Sequence, residues 1–185
     1  LPNDYPDMPS SLMHIYLIEA GPRLLAGMSE ESSAHAEQFL REMGVNILLN
    51  KRVVDYRDHK VVLEDGTEIA TRTFIWVSGV TGVTIGNLDA SLIGRGGRIK
   101  VDSFNRVEGM NNVFAIGDQC IQLADENYPN GHPQLAQVAI QQGELLAKNL
   151  IRMEKGQEMK PFHYRNLGSM ATVGRNRAVA EFSKV

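Results

Sequence analysis

VFAIGDQC, residues 113–120, is the stretch whose reading decides the fold. Val113, Phe114, Ala115 and Ile116 make an apolar run of strand length, and Gly117-Asp118 stops it at a loop. The run predicts a buried strand tipped by a glycine and a carboxylate. Gly117 allows another backbone to come close, and Asp118 stands where a strand-tip carboxylate can accept a hydrogen bond from a sugar-alcohol hydroxyl, such as the ribityl chain of a flavin. Taken alone, Asp118 reads more simply as an aspartate capping a turn.

Downstream, LADENYPNGH reads as a polar loop. Pro133 suits the first turn of a helix running to about residue 153. Leu135, Val138, Ala139, Leu145, Leu146, Leu150 and Met153 share one stripe of it, and Gln137, Gln141, Glu144 and Lys148 lie opposite. The start of that helix carries free N–H groups and a positive dipole end, which suit developing negative charge, as on a reduced flavin ring. Gln137 and Gln141 offer amide groups to a ring or a quinone carbonyl, or else form a solvated face. Beyond the helix, PFHYRN, GSMATVG and NRAVAEF read as three short strands.

Upstream, TFIWVSG (73–79) reads as a buried strand running into glycine, and GRGGRIKVD (94–102) as a glycine-rich connection. Residues 51–69 read as antiparallel, with Val61 and Leu63 alternating and Asp65-Gly66 as a turn. HIYLIEA (14–20) reads as a buried strand. A helix capped by Ser29 follows, with Ala36, Phe39, Leu40 and Met43 on one face and Gly44 at its end, and then a second strand, VNILLN. Strand, helix, strand in this order predicts a parallel α/β unit with the hairpin inserted.

Glu19 falls at the carboxyl end of the first strand. An acid there accepts hydrogen bonds from an adenosine ribose and repels a 2′-phosphate, which favours NADH over NADPH; a solvated strand-end carboxylate fits the position as well. A Gly-x-Gly-x-x-Gly loop is expected about 20 residues upstream of such an acid, and the chain begins too late to hold it. The glycines at 94–97 follow no clear strand and open no helix, so they are not read as a phosphate loop.

Composition sets wider limits. The chain has 185 residues, 43% hydrophobic and 22% charged, with a net charge of −3, so no basic excess points to nucleic acid. One cysteine, Cys120, excludes an internal disulfide and a Cys-x-x-Cys pair within the chain. Its five histidines show no metal-ligand spacing, and no Gly-x-Ser-x-Gly elbow occurs. The opening LPNDYPDMPSS, with no initial Met, reads as a linker or a cut end.

The order HIYLIEAGPRLL, GVNILLN, LEDGTEIATRTFIWVSGV, NNVFAIGD, PQLAQVAIQQGELLAKNL and PFHYRNLGSMATVGRNRAVAE resembles that of the type II NADH dehydrogenases. These are single-subunit flavoproteins that pass electrons from NADH through FAD to quinone. The Ala-Gln-Val-Ala-x-Gln-Gln and Gly-Ser-Met-Ala-x-x-Gly stretches carry most of the resemblance. It implies that Glu19 holds the adenosine ribose of NADH and that Ser78, Gly79 and Val80 line the nicotinamide cleft with their backbone. It also implies that Gly117 and Asp118 meet the ribityl or pyrophosphate part of FAD, that Ala136 and Gln137 meet the flavin ring, and that Gln137 and Gln141 face the quinone. Some relatives carry histidine where this chain has Ile140. A ferredoxin or disulfide reductase of the same architecture and a non-catalytic interaction module are the rival readings.

The resemblance further implies an incomplete α/β flavoprotein with two Rossmann-like dinucleotide-binding domains, an antiparallel β insertion and short C-terminal strands. The expected divisions are 1–80 for a partial NADH domain, 81–160 for the C-terminal half of an FAD domain, and 161–185 for the short strands. Both phosphate loops and the family's membrane-seating segments lie outside the chain, so it is expected to be an internal fragment. The complete protein would sit on the cytoplasmic face of a membrane. The fragment is expected to self-associate through exposed strand edges and to bind neither FAD nor NADH tightly.

Overall fold

The computed structural model describes residues 13–83 and 85–182. Two compact units emerge: Leu1–Trp76 with Gly168–Val185, and Val77–Leu167.

In the first unit, β1 (Ile15–Ile18) pairs in parallel with β2 (Val45–Leu48) across the helix α1 (Glu30–Glu42), the expected β-α-β order. The Ser29 side chain accepts the Ser32 N–H at 3.2 Å and starts α1 where the sequence predicts, and Glu30 and Glu31 lie at its positive end. The strand β1 is less buried than expected: Ile15 and Tyr16 are 46% and 45% exposed. Among the described residues it has a hydrogen-bonded neighbour, β2, on one side only.

The insertion is a three-stranded antiparallel sheet, β3 (Val53–Arg57), β4 (Lys60–Leu63) and β5 (Glu68–Ala70). The alternating Val61 and Leu63 are both buried, each contributing about 2 kcal/mol. Besides the Asp65-Gly66 turn, Asp58 and His59 join β3 to β4 with positive φ at both positions, a turn without glycine. The last two strands, β8 (Ser169–Val173) and β9 (Arg177–Glu181), form a hairpin whose Val173 and Val179 pack with Ala36, Phe39 and Leu40 of α1. PFHYRN is not a strand: its Arg165 backbone pairs with the Gln141 side chain and its Phe162 N–H donates to Ser103 O at 2.7 Å.

TFIWVSG is also not a strand. Ile75 and Val77 are 74% and 83% exposed, and no strand among the described residues offers this segment a ladder.

The second unit centres on β6 (Ile99–Val101), which pairs in parallel with β7 (Cys120–Gln122). Ile99, Val101, Val107 and Cys120 form its buried cluster. GRGGRIKVD, expected to be a connection, therefore contains the core strand. VFAIGD is corrected in the opposite sense: residues 113–116 form no regular strand. Val113 O accepts the Val107 N–H at 2.9 Å and the Ala115 N–H donates to Asn105 O at 3.0 Å, and Asn105 has φ +62°, which breaks the ladder. The strand begins after Gly-Asp, at Cys120.

The helix α2 is Ala136–Glu154. It starts three residues after Pro133, because Gln134 Nε2 donates to Asp118 O at 3.2 Å and Leu135 is held extended. Its buried side chains are Val138, Gln142 and Asn149, while Leu150 and Met153 of the expected apolar stripe are exposed. No helix among the described residues is long and apolar enough to cross a membrane.

Cys120 sits deep in this unit, and burial raises its thiol above the ordinary cysteine value. A thiol reagent at mildly alkaline pH is expected to leave the native chain unlabelled and to label it fully in denaturant; rapid native labelling would contradict this packing.

Candidate functional site

Gly117, Asp118 and Gln119 form one 3-10 turn between residue 116 and β7. Gly117 has φ +65°, and a Cβ there would lie 3.2 Å from the Ala139 Cβ of α2. The glycine thus permits both the conformation and the close approach to the first turn of the helix. Its N–H donates to Gln142 Oε1 at 2.7 Å, from a glutamine only 1% exposed. Gln142 Nε2 and Asn105 Nδ2 both face the Cys120 sulfur, at 3.6 and 3.9 Å. The turn is therefore fixed through Gly117, and Asp118 itself is exposed.

No side chain caps the start of α2, whose N-cap is Leu135. Ala136 is exposed there. An uncapped positive helix end and an exposed aspartate on a turn packed against the same helix thus lie near each other, and residues 113–116 before the turn form no regular strand.

Gln137 and Gln141 carry a different load. Gln137 Oε1 accepts the Leu167 N–H at 3.1 Å. Gln141 pairs with the Arg165 backbone twice, accepting at 3.0 Å and donating at 2.9 Å. Asn149 pairs in the same way with Lys160, at 2.8 Å for both bonds. These amides hold residues 160–167 antiparallel along α2, each acting as a short stand-in strand. The sequence signal for the Asn149 pairing is a polar residue among Leu145, Leu146 and Met153 on the apolar side of the helix.

Ser78, Gly79 and Val80 are all exposed. Just beyond them, a Cβ on Gly82 would lie 2.3 Å from Gly97 O, and the Gly82 N–H donates to Gly96 O at 2.7 Å. Gly96 and Gly97 are thus engaged by the backbone of Gly82, while a Cβ on Gly94 would lie 2.9 Å from the Ile121 side chain, which accounts for a cluster that opens no helix.

Glu19 follows directly on β1. Its Oε1 accepts the Gly21 N–H at 2.7 Å, and its backbone bonds Leu48 and Lys51, so the carboxylate is half-buried and oriented.

A buried pair lies apart from these residues. Asp125 Oδ2 and His132 Nε2 are 2.9 Å apart, with the rings of Tyr128, Phe162 and Tyr164 around the imidazole. The hydrogen bond to His132 holds the Asp125 carboxyl below its usual range. Asp125 and His132 fall in LADENYPNGH, expected to be a polar loop, yet both are buried. No group of His, Cys, Asp or Glu among the described residues is arranged to hold a metal.

The parallel pairs β1–β2 and β6–β7, with the helices α1 and α2, define an α/β class. Over residues 10–143 the chain matches the pyridine nucleotide-disulphide oxidoreductase family, and it belongs to that family. It is 34% identical over 184 residues to the type II NADH:quinone oxidoreductase NdhA of Mycobacterium tuberculosis, covering 92% of this chain and 38% of that protein. The type II NADH:quinone oxidoreductase of Haemophilus influenzae is 29% identical over 180 residues, covering 97% of this chain and 40% of that one. The chain thus spans about two fifths of the length of these curated relatives.

Among solved structures, NDH2 from Plasmodium falciparum in complex with NADH superposes with a TM-score of 0.83 at 19% identity, over 100% of this chain and 52% of that one. A ferredoxin reductase from Rhodopseudomonas palustris superposes at 0.64 and 20% identity, over 83% and 38%. Both are likenesses of fold. The expected Rossmann-like flavoprotein fold is the fold found.

Proposed function

We propose that this chain supplies the NADH-facing and flavin-facing residues of a type II NADH:quinone oxidoreductase. The observation that carries the reading is the Gly117–Gln119 turn, seated on the uncapped start of α2 with Asp118 exposed. Those residues fit the ribityl and ring portions of FAD, which when bound takes a hydride from NADH and passes its electrons to an acceptor. They do not supply a cradle for its pyrophosphate, since Gly96 and Gly97 are engaged by Gly82 and Gly94 packs against Ile121.

On this reading Asp118 accepts hydrogen bonds from flavin hydroxyls. The backbone at Ala136 and Gln137, at the positive end of α2, stabilises negative charge on the ring. Ser78, Gly79 and Val80 line the nicotinamide side with exposed backbone. Glu19, whose Oε1 accepts the Gly21 N–H, would hold the adenosine ribose through its second oxygen. Gln141 has a second N–H on Nε2 for a quinone carbonyl while its first holds Arg165, and Gln137 stands one helical turn before it. Contact with a membrane surface and self-association belong to the same proposal; the exposed Ile15 and Tyr16 of β1 support the second.

The test is purification of the gene product that carries this chain, with its flavin content and its NADH oxidation measured against quinone, ferredoxin and disulfide acceptors. Bound FAD with quinone-dependent oxidation is the expected result. Asp118→Ala is expected to weaken flavin binding about tenfold or more, and Glu19→Ala to weaken NADH by a similar factor with flavin retained. Flavin bound without any quinone reduction would defeat the proposal.

A further inference from the structure

Gln119 joins two loops that the functional reading assigns to different ligands. Its Nε2 donates to Val83 O at 2.7 Å, and its Oε1 accepts the Val83 N–H at 3.0 Å. A planar carboxamide makes this double pairing as a peptide unit in a ladder does. Gln119 is the last residue of the turn that presents Asp118, and Val83 lies three residues beyond Val80. The loop around Val83 is open: Val83 is 73% exposed and Val80 61%. The loop is also tied through Gly82, whose N–H donates to Gly96 O and whose backbone packs on Gly97.

We propose that Gln119 is a positioning residue, which locks the nicotinamide-lining loop to the flavin-binding turn so that the two partners of hydride transfer are held at a fixed separation. The proposal rests on the functional reading above. The turn is itself anchored, through Gly117 on Gln142 and through Gln134 on Asp118 O. The clamp therefore adds a second tie, beside that of Gly82, between an exposed loop and a well-held turn. Residue type matters: glutamate keeps the acceptor for the Val83 N–H but sets a carboxylate against Val83 O, and methionine keeps the length but offers neither partner. Hydride transfer depends steeply on the distance and alignment of its partners, so a loosened loop slows it even where binding persists.

The test uses Gln119→Met and Gln119→Glu, with two readouts. In the chain itself, backbone amide exchange at Val83 is followed by NMR, and the thermal midpoint serves as the check on folding. In the gene product that carries the chain, flavin reduction by NADH is followed in single turnover, together with the dissociation constant for NADH. Exchange at Val83 is expected to quicken about tenfold in Gln119→Met and less in Gln119→Glu, with the midpoint unchanged. Flavin reduction is expected to slow about tenfold at unchanged NADH affinity and flavin content. Unchanged exchange at Val83 would overturn the clamp. Faster exchange with unchanged flavin reduction would overturn the positioning role. A wild-type product that takes up neither flavin nor NADH would overturn the functional reading and the positioning role with it, while Gln119-dependent exchange would still mark a structural clamp.

Discussion

Gly82→Ala is expected to destabilise the second unit by about 3 kcal/mol and to free the loop that carries Val83. A Cβ at this position would lie 2.3 Å from Gly97 O, 2.7 Å from Gly97 C and 3.1 Å from Arg98 N. All three are backbone atoms, so no side-chain rotation relieves the overlap. The crowding is mutual, because a Cβ on Gly97 would lie 2.9 Å from Gly82 O at a φ of +70°. To accommodate the methyl, the loop must lift away, and the 2.7 Å bond from the Gly82 N–H to Gly96 O goes with it. Overpacking of this kind costs about 1–3 kcal/mol and the lost hydrogen bond about 1. Urea titration of the variant against the wild type measures the total, and amide exchange over residues 79–83 shows where the loss falls. A change under about 0.5 kcal/mol, the range of an ordinary surface substitution, would show that the two glycine backbones are not packed together in solution. Gly97→Ala acts on the same contact, so the double variant is expected to cost less than the two single losses added.

The parts of this chain that were legible in its sequence are those where a local rule and the tertiary structure agree. Ser29 capping, acidic residues in the first turn and a periodic apolar face placed α1, and alternation placed β4 with Val61 and Leu63 inward. The core strand Ile99–Val101 was hidden by its neighbours, since three residues after four glycine-rich ones carry no periodicity of their own. Residues 113–116 failed for the converse reason: four apolar residues look like a strand, but their backbone partners include Asn105 in a left-handed conformation.

Within the site, the position of Asp118 beside the start of α2 was readable from the glycine-carboxylate ending and from the helix that follows. The work of the amides was not. Periodicity counts apolar side chains, so Gln142 at 1% exposure and Asn149 at 0% fell outside the predicted buried face. Their partners are backbone groups of distant segments, Gly117 and Lys160, which spacing along the chain cannot reveal.

The largest single loss is expected from Asp125→Ala, at about 3 kcal/mol or more, because the pair it breaks is buried on both sides. Asp125 and His132 are 7% and 2% exposed, and their contact is 2.9 Å. His132 Nδ1 is buried with no hydrogen-bond partner among the described residues, so Asp125 satisfies the one ring nitrogen that is bonded. Removing the carboxylate leaves an imidazole enclosed by Tyr128, Phe162 and Tyr164 with both nitrogens unpaired, and desolvation is no longer offset. The Asn127 N–H, which donates to Asp125 Oδ1 at 3.0 Å, loses its acceptor as well. The same pair fixes a pH dependence. The His132 hydrogen bond, first among its causes, lowers the Asp125 value in the folded chain. A depressed folded value means that the unfolded chain takes up the proton first. The stabilisation is therefore complete above about pH 4, the ordinary aspartate value, and fades as the pH falls through the lower folded value. Urea midpoints measured from pH 7 downward are expected to fall below pH 4 in the wild type. In Asp125→Ala they are expected to start lower and fall less steeply. Parallel curves for the two proteins would show that Asp125 carries none of the acid sensitivity. A variant as stable as the wild type at pH 7 would show that His132 does not depend on the carboxylate for its place in the core.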